Sequence, residues 1–366
     1  MEKKRNSNIE LLRCFAMLMI ISHHIVNHCV ILQLTNINSI ERMQNGYFNH
    51  PLFYKKLLIL EMLSSFGGIG NAIFMLISGY FMVQKRSLDI VKISSKLISQ
   101  LGFSAVFLIL LSIGSNFMDA LAVVNVQSFN QLSWYVGYYY AVILIARFFL
   151  NDFLGKMNDK NYITFLIICF SLTQFGWTGI LLDGFVPGLR TLLTGIFLYA
   201  LGGYIRKNNY LSRIRTYVFV LTIFITYSLV FISAYNVTQS NIHNYINEGI
   251  ETDYIQNISS FSNYSIVVII VGICIFEIFR RIKISNVKVL NYCGQATFMV
   301  YLLHDNELFY SIWNTQDWIT LLYAYPYKFI IKLLIWSGSV FVCGIVIYSL
   351  YKMCSWLLKK LRIIVG

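Results

Sequence analysis

A chain of 366 residues in which 57% are hydrophobic and only 12% are charged lacks the polar residues to cover a soluble surface. Its formal net charge of +13 would suit nucleic acid, but the basic residues stand in short clusters between apolar runs, the pattern of loops in a membrane protein. Most of the seven cysteines lie in or beside apolar runs and none form a Cys-x-x-Cys pair, so neither a disulfide framework nor a zinc module is expected.

The opening MEKKRNSN and the apolar run behind it have the outline of a signal peptide. The run continues to about Ile25 and meets His23 and His24 rather than small residues, so a retained first helix is expected. Further apolar runs follow, and the spans read 9–27, 66–83, 97–114, 132–150, 161–177, 188–204, 217–235, 262–280, 293–311 and 329–351. The runs are continuously apolar and lack period-two alternation, which favours helices over a barrel. The expected fold is all-α: one membrane-embedded domain over 1–366, polytopic, with about ten transmembrane helices.

Lys and Arg set the orientation. Alternate loops carry Lys3, Lys4 and Arg5; Lys85, Arg86, Lys92 and Lys96; Lys156 and Lys160; Arg206, Lys207, Arg213 and Arg215; Arg280, Arg281, Lys283 and Lys288; and Lys352, Lys359, Lys360 and Arg362. The intervening segments 115–131, 236–261 and 312–327 have neither residue. Both termini are therefore expected in the cytoplasm. Trp134, Trp177, Trp313, Trp318 and Trp336 fall near the outer ends of the spans and read as an aromatic belt.

Ionisable residues within a span are expensive and mark function by default. The first span holds Arg13, His23, His24 and, just beyond it, His28. Arg13 and His24 are eleven residues apart, so they differ by about 20° around the axis and by roughly 16 Å along it. One helix face can therefore hold an anionic group near the cytoplasm and a proton acceptor farther out. Snorkelling of Arg13 to the headgroups and a hydrogen-bonded structural role for His24 are the alternatives. His23 points about 100° away. His24 and His28 have the i, i+4 spacing of a metal pair, but no Glu motif stands near them and the sequence offers no third ligand, so no metal is expected.

Four segments in chain order carry a resemblance. RNSNIELLRCFAMLMIISHHI at the start has an Arg, ten residues, then a His, through Arg13 and His24. GGIGNAIFMLISGYFM at 67–82 supplies Gly70, Phe74, Ser78, Gly79 and Tyr80. WYVGYYYAVILIARFFLN covers 134–151, and CGQATFMVYLLHDN at 293–306 supplies Tyr301, His304, Asp305 and Asn306. Together they resemble the acyltransferase family 3 membrane proteins, over nearly the whole chain, and the branch that modifies surface polysaccharides in particular.

The resemblance implies an acyl-CoA-dependent O-acyltransferase of the bacterial cytoplasmic membrane. Acetyl-CoA is the expected donor, with no metal. The expected acceptor is a hydroxyl of a cell-surface polysaccharide or its lipid-linked precursor. Arg13, with Lys85 and Arg86, would pair the phosphates of CoA. His24 would act as general base, or as a transient acyl carrier. His304, Asp305 and Tyr301 would bind acceptor or orient His24, and Arg190 would meet an acidic sugar or a lipid phosphate. Ser78 and Gly79 read as helix-packing residues. A transporter or flippase for an anionic lipid-linked sugar also suits an intramembrane Arg and His, and acyl-CoA turnover separates the two.

Overall fold

The computed structural model describes residues 5–35, 53–85, 88–114, 134–248 and 265–365. Every regular element among them is helical. Helix α1 (Ser7–Ile25) runs unbroken through a π-helical stretch, Val26–Ile31, into α2 (Leu32–Thr35). Next come α3 (Phe53–Ser64), α4 (Phe66–Met82) and α5 (Ile90–Gly114). Helix α6 (Trp134–Ile145) passes through a second π-helical stretch, Ala146–Leu150, into α7 (Asn151–Lys156). Then follow α8 (Asp159–Gln174), α9 (Gly176–Phe185), α10 (Leu189–Asn208) and α11 (Thr216–Glu248). The chain closes with α12 (Ile266–Arg281), α13 (Lys288–His304), α14 (Glu307–Trp313), α15 (Trp318–Ala324) and α16 (Pro326–Val365).

Local chemistry sets the helix ends. The Asn158 side chain caps α8 by accepting from the Asn161 N–H at 2.8 Å. Helix α10 stops at Asn209, whose φ of 50° is left-handed, with Arg206 and Lys207 in its last turn.

Among the described residues, five stretches are long and apolar enough to cross a membrane: Ser7–Leu34, Leu58–Met82, Ile90–Leu111, Thr216–Ser233 and Pro326–Leu358. The other expected spans also fall on helices, but α8 and α12 have 16 residues each and α13 has 17, about 24–26 Å of helix. The outward faces suit lipid. Along α11, Leu221, Phe224, Ile225, Leu229 and Ile232 are all exposed, a surface that water would not tolerate in a stable monomer.

Helix α1 sits at the centre, packed on α4, α12, α13 and α16. The α4–α10 seam is closed by glycine: a Cβ on Gly79 would run into the Tyr199 backbone carbonyl. Ser78 donates to the Phe74 carbonyl of its own helix at 2.8 Å, and Gly79 serves packing, as the sequence suggests. Helices α1 and α13 run parallel. Ser7 donates to Asn291 Oδ1 and accepts from the Val287 N–H, both at 2.9 Å. The Asn8 side chain donates to the carbonyls of Phe279 and Arg280 at the end of α12. The start of α1, the end of α12 and the start of α13 therefore meet at one end of the bundle, together with Arg5, Arg280, Arg281 and Lys288.

Three expectations need correction. The span 293–311 is not one helix. It breaks at Asp305, where φ is −96° and ψ is 80°, and α14 begins at Glu307; Asp and Asn side chains compete with the helical ladder for backbone hydrogen bonds. The supposed outer loop 236–261 is helical up to Glu248. Trp313 and Trp318 are fully buried, the second donating its indole N–H to the carbonyl of the first at 2.8 Å. Trp318 packs on Phe329 of α16 and Trp313 on Phe309 and Tyr310 of its own helix, so neither forms a belt. Trp134 is exposed, while the side chain of Trp177 lies outside the described ones.

Candidate active site

Two polar clusters lie along the seam between α1 and α13. The first is at the basic end. Glu10, only 5% exposed, sits between two guanidinium groups. Arg5 Nη1 donates to Glu10 Oε1 at 2.9 Å, and Arg13 Nη1 lies 3.4 Å from Oε2. Lys96 on α5 is within electrostatic range of Arg5, Arg13, Glu10 and Lys352. Arg5, Arg13 and Lys96 thus gather around one carboxylate, with Lys352 within range of Lys96, leaving an excess of positive charge. That arrangement can receive a multivalent anion such as a phosphate chain. Arg13 is about one quarter exposed, so its fork is not sealed off.

The second cluster is about eleven residues farther along both helices. His24 Nδ1 lies 3.3 Å from Asp305 Oδ1. The pair is close but off line, and neither atom has a hydrogen-bond partner among the described residues. A small ring rotation converts the contact into an N–H···O bond, as catalytic pairs without substrate often require. His304 is fully buried and stands edge-on to His24, with ring centres 4.8 Å apart. Its Nδ1 donates to the Tyr301 carbonyl at 2.6 Å, which leaves Nε2 as a buried lone pair with no partner among the described residues. The Tyr301 ring lies 5.2 Å from His304 and 5.6 Å from Tyr135 on α6.

His23 and His28 have separate surroundings. His23 Nε2 is bonded to Asn27 at 3.0 Å, and its ring lies flat against Gly67, where any Cβ would collide with it. His28, in the π-helical stretch, stacks on His24 at 5.4 Å and on Tyr310 at 4.5 Å. Its Nε2 is 4.0 Å from Asp305 Oδ1.

The structure therefore brings His24, His304, Asp305 and Tyr301 together and sets Arg13 beside Glu10, nearer the start of α1. It does not add the other expected residues to them. Lys85 is exposed beyond the end of α4, where its carbonyl accepts from Asn151. Arg86 lies outside the described residues. Arg190 is held at the start of α10, its backbone N–H on Asp183 and its Nε on the Thr173 carbonyl at 2.6 Å. A cleft of about 520 Å³ between α6 and α10 is lined by Trp134, Tyr138 and Leu192 and contains none of the site residues.

Sequence reasoning missed Glu10, Lys96 and Tyr135. Glu10 carried a signal, since it stands three residues before Arg13 on the same helix face. Lys96 and Tyr135 come from other helices, and only the tertiary fold places them here.

The family model described as an acyltransferase domain, acyltransferase family 3, matches residues 6–348. The chain belongs to that family, and the activity that goes with it is acyl transfer. No curated protein and no solved structure matches the chain.

Proposed function

We propose that the protein moves an acyl group, acetyl by family resemblance, from cytoplasmic acyl-CoA to a hydroxyl of a cell-surface polysaccharide or its lipid-linked precursor. The observation that carries this reading is the packed α1–α13 pair with cations at one end and a His–Asp contact roughly 16 Å farther along. That separation suits a donor whose phosphates are held at one end while its pantetheine arm carries the thioester to the other.

The reading places about ten spans in a bacterial cytoplasmic membrane, with both termini in the cytoplasm. It is supported by the clustering of Arg5, Arg280, Arg281 and Lys288 at one end of the bundle. Arg13, with Arg5 and Lys96, pairs the phosphates. The charges of Lys85 and Arg86 attract the anion at longer range.

At the far end, Asp305 holds the His24 proton on Nδ1 and leaves Nε2 as the base. The acceptor oxygen attacks the thioester carbon while its proton passes to Nε2. The tetrahedral intermediate collapses by breaking the C–S bond, and the His24 imidazolium returns the proton to the departing CoA thiolate. Asp305 stabilises the imidazolium between those steps. The free His304 Nε2 accepts a hydrogen bond from an acceptor hydroxyl, and the Tyr301 and Tyr135 rings offer flat faces to a sugar.

The test is CoA release and acyl transfer by the purified protein in nanodiscs, wild type against His24→Ala. General-base catalysis contributes about 10²–10⁴-fold, so the variant should lose at least about a hundredfold while still binding acyl-CoA. Wild-type turnover by His24→Ala removes the proposed base. A wild-type protein that never releases CoA removes the donor.

A further inference from the structure

The two atoms that share a proton in that scheme also face a third. His24 Nδ1, His28 Nε2 and Asp305 Oδ1 lie 3.3 Å and 4.0 Å apart across the carboxylate oxygen, and the three ligand atoms all fall within 4.8 Å of one another. Zinc held at about 2.0–2.1 Å by nitrogen and oxygen in a tetrahedron sets its ligand atoms about 3.3 Å apart. The His24–Asp305 pair is already at that spacing. His28 needs a movement of about 1 Å, and at 46% side-chain exposure it has room to make it.

Other partners do not compete for these atoms. His24 Nδ1 and Asp305 Oδ1 have no hydrogen-bond partner among the described residues. His23 is committed to Asn27, and the Nδ1 of His304 to the Tyr301 carbonyl. Two imidazoles and one carboxylate suit a divalent transition ion such as zinc better than calcium or magnesium.

From this geometry we propose that His24, His28 and Asp305 form a three-ligand site for a divalent transition-metal ion, and that the bound ion switches acyl transfer off. The ion takes the place of the proton between Nδ1 and Oδ1. A neutral imidazole bound to metal through Nδ1 carries its proton on Nε2, the nitrogen that must be bare to act as base. The proton moves from one ring nitrogen to the other and nothing is consumed. Binding requires only the three ligands; the inhibitory half rests on the proposed role of His24.

Two measurements on the full-length protein in nanodiscs keep those halves apart. Zinc chloride titrated calorimetrically should bind, and His28→Gln, at an exposed site that the acyl-transfer scheme does not use, should weaken that binding by at least about tenfold. Micromolar zinc should stop wild-type transfer. His28→Gln should turn over normally without zinc and resist zinc when it is added. Zinc affinity unchanged in His28→Gln, or absent from the wild type, overturns the site. Zinc bound through His28 with transfer unaffected overturns the switch.

Discussion

Asp305→Asn tests the pairing on which the chemistry rests. The carboxylate faces His24 Nδ1 at 3.3 Å, with the two side chains 10% and 18% exposed, so solvent screens the contact only partly. The substitution keeps the volume and removes the charge. A hydrogen bond to a charged group contributes about 1.5–3 kcal/mol. At about 1.4 kcal/mol per tenfold, losing it from the transition state lowers kcat roughly ten- to hundredfold. The loss is greatest if the amide presents its NH₂ to Nδ1, because the imidazole then carries its proton on the wrong nitrogen. The KM for acyl-CoA should stay within about twofold if KM follows donor binding, because the cations proposed to hold the phosphates lie roughly 16 Å away. Initial rates of CoA release over a range of acyl-CoA concentrations give both constants at matched expression. A wild-type kcat, or a loss confined to KM, would refute the Asp305–His24 pairing.

Arg13→Ala should raise the Kd for CoA at least tenfold in equilibrium binding, and Arg13→Lys should recover part of it, since charge survives but the planar fork does not. His23→Ala should cost transfer less than about tenfold, because that ring is engaged with Asn27 and Gly67 rather than Asp305. A larger loss than in His24→Ala would reverse the assignment. Gly79→Val should destabilise the protein by about 1–3 kcal/mol, seen as a lower Tm in detergent, because its side chain meets the Tyr199 backbone. Cysteines placed singly at 283–287 in a Cys-free variant should resist an impermeant thiol reagent in intact cells; labelling there would sink the topology with both termini in the cytoplasm.

Much of this was legible in the chain because the signals were local. Apolar runs marked the helices, and the Arg13–His24 interval marked a shared face, since 3.6-residue periodicity is a property of one helix. Gly79 was legible as a helix-packing residue because a small side chain is itself a local signal. What sequence could not show lay between helices. Nothing local says that Asp305 lands on His24 and approaches His28, so the histidine pair lacked a third ligand until the fold supplied one. The break after His304 was open to detection from the Asp-Asn pair, but the surrounding hydrophobicity outweighed it. Burial of Trp318 depended on α16 folding back so that Phe329 packs on it, which no window of a few residues contains.

The parallel pairing of α1 with α13 also bears on how the protein is made. Helix α1 is synthesised before α13, and the segment carrying His304 and Asp305 follows His24 by some 280 residues. For most of translation, His24 waits in the bilayer without the carboxylate that later stands beside it, held there by its apolar neighbours at some cost in insertion energy. On the proposed mechanism, a chain that stops before α13 lacks the His24–Asp305 pair, so activity waits until α13 is in place.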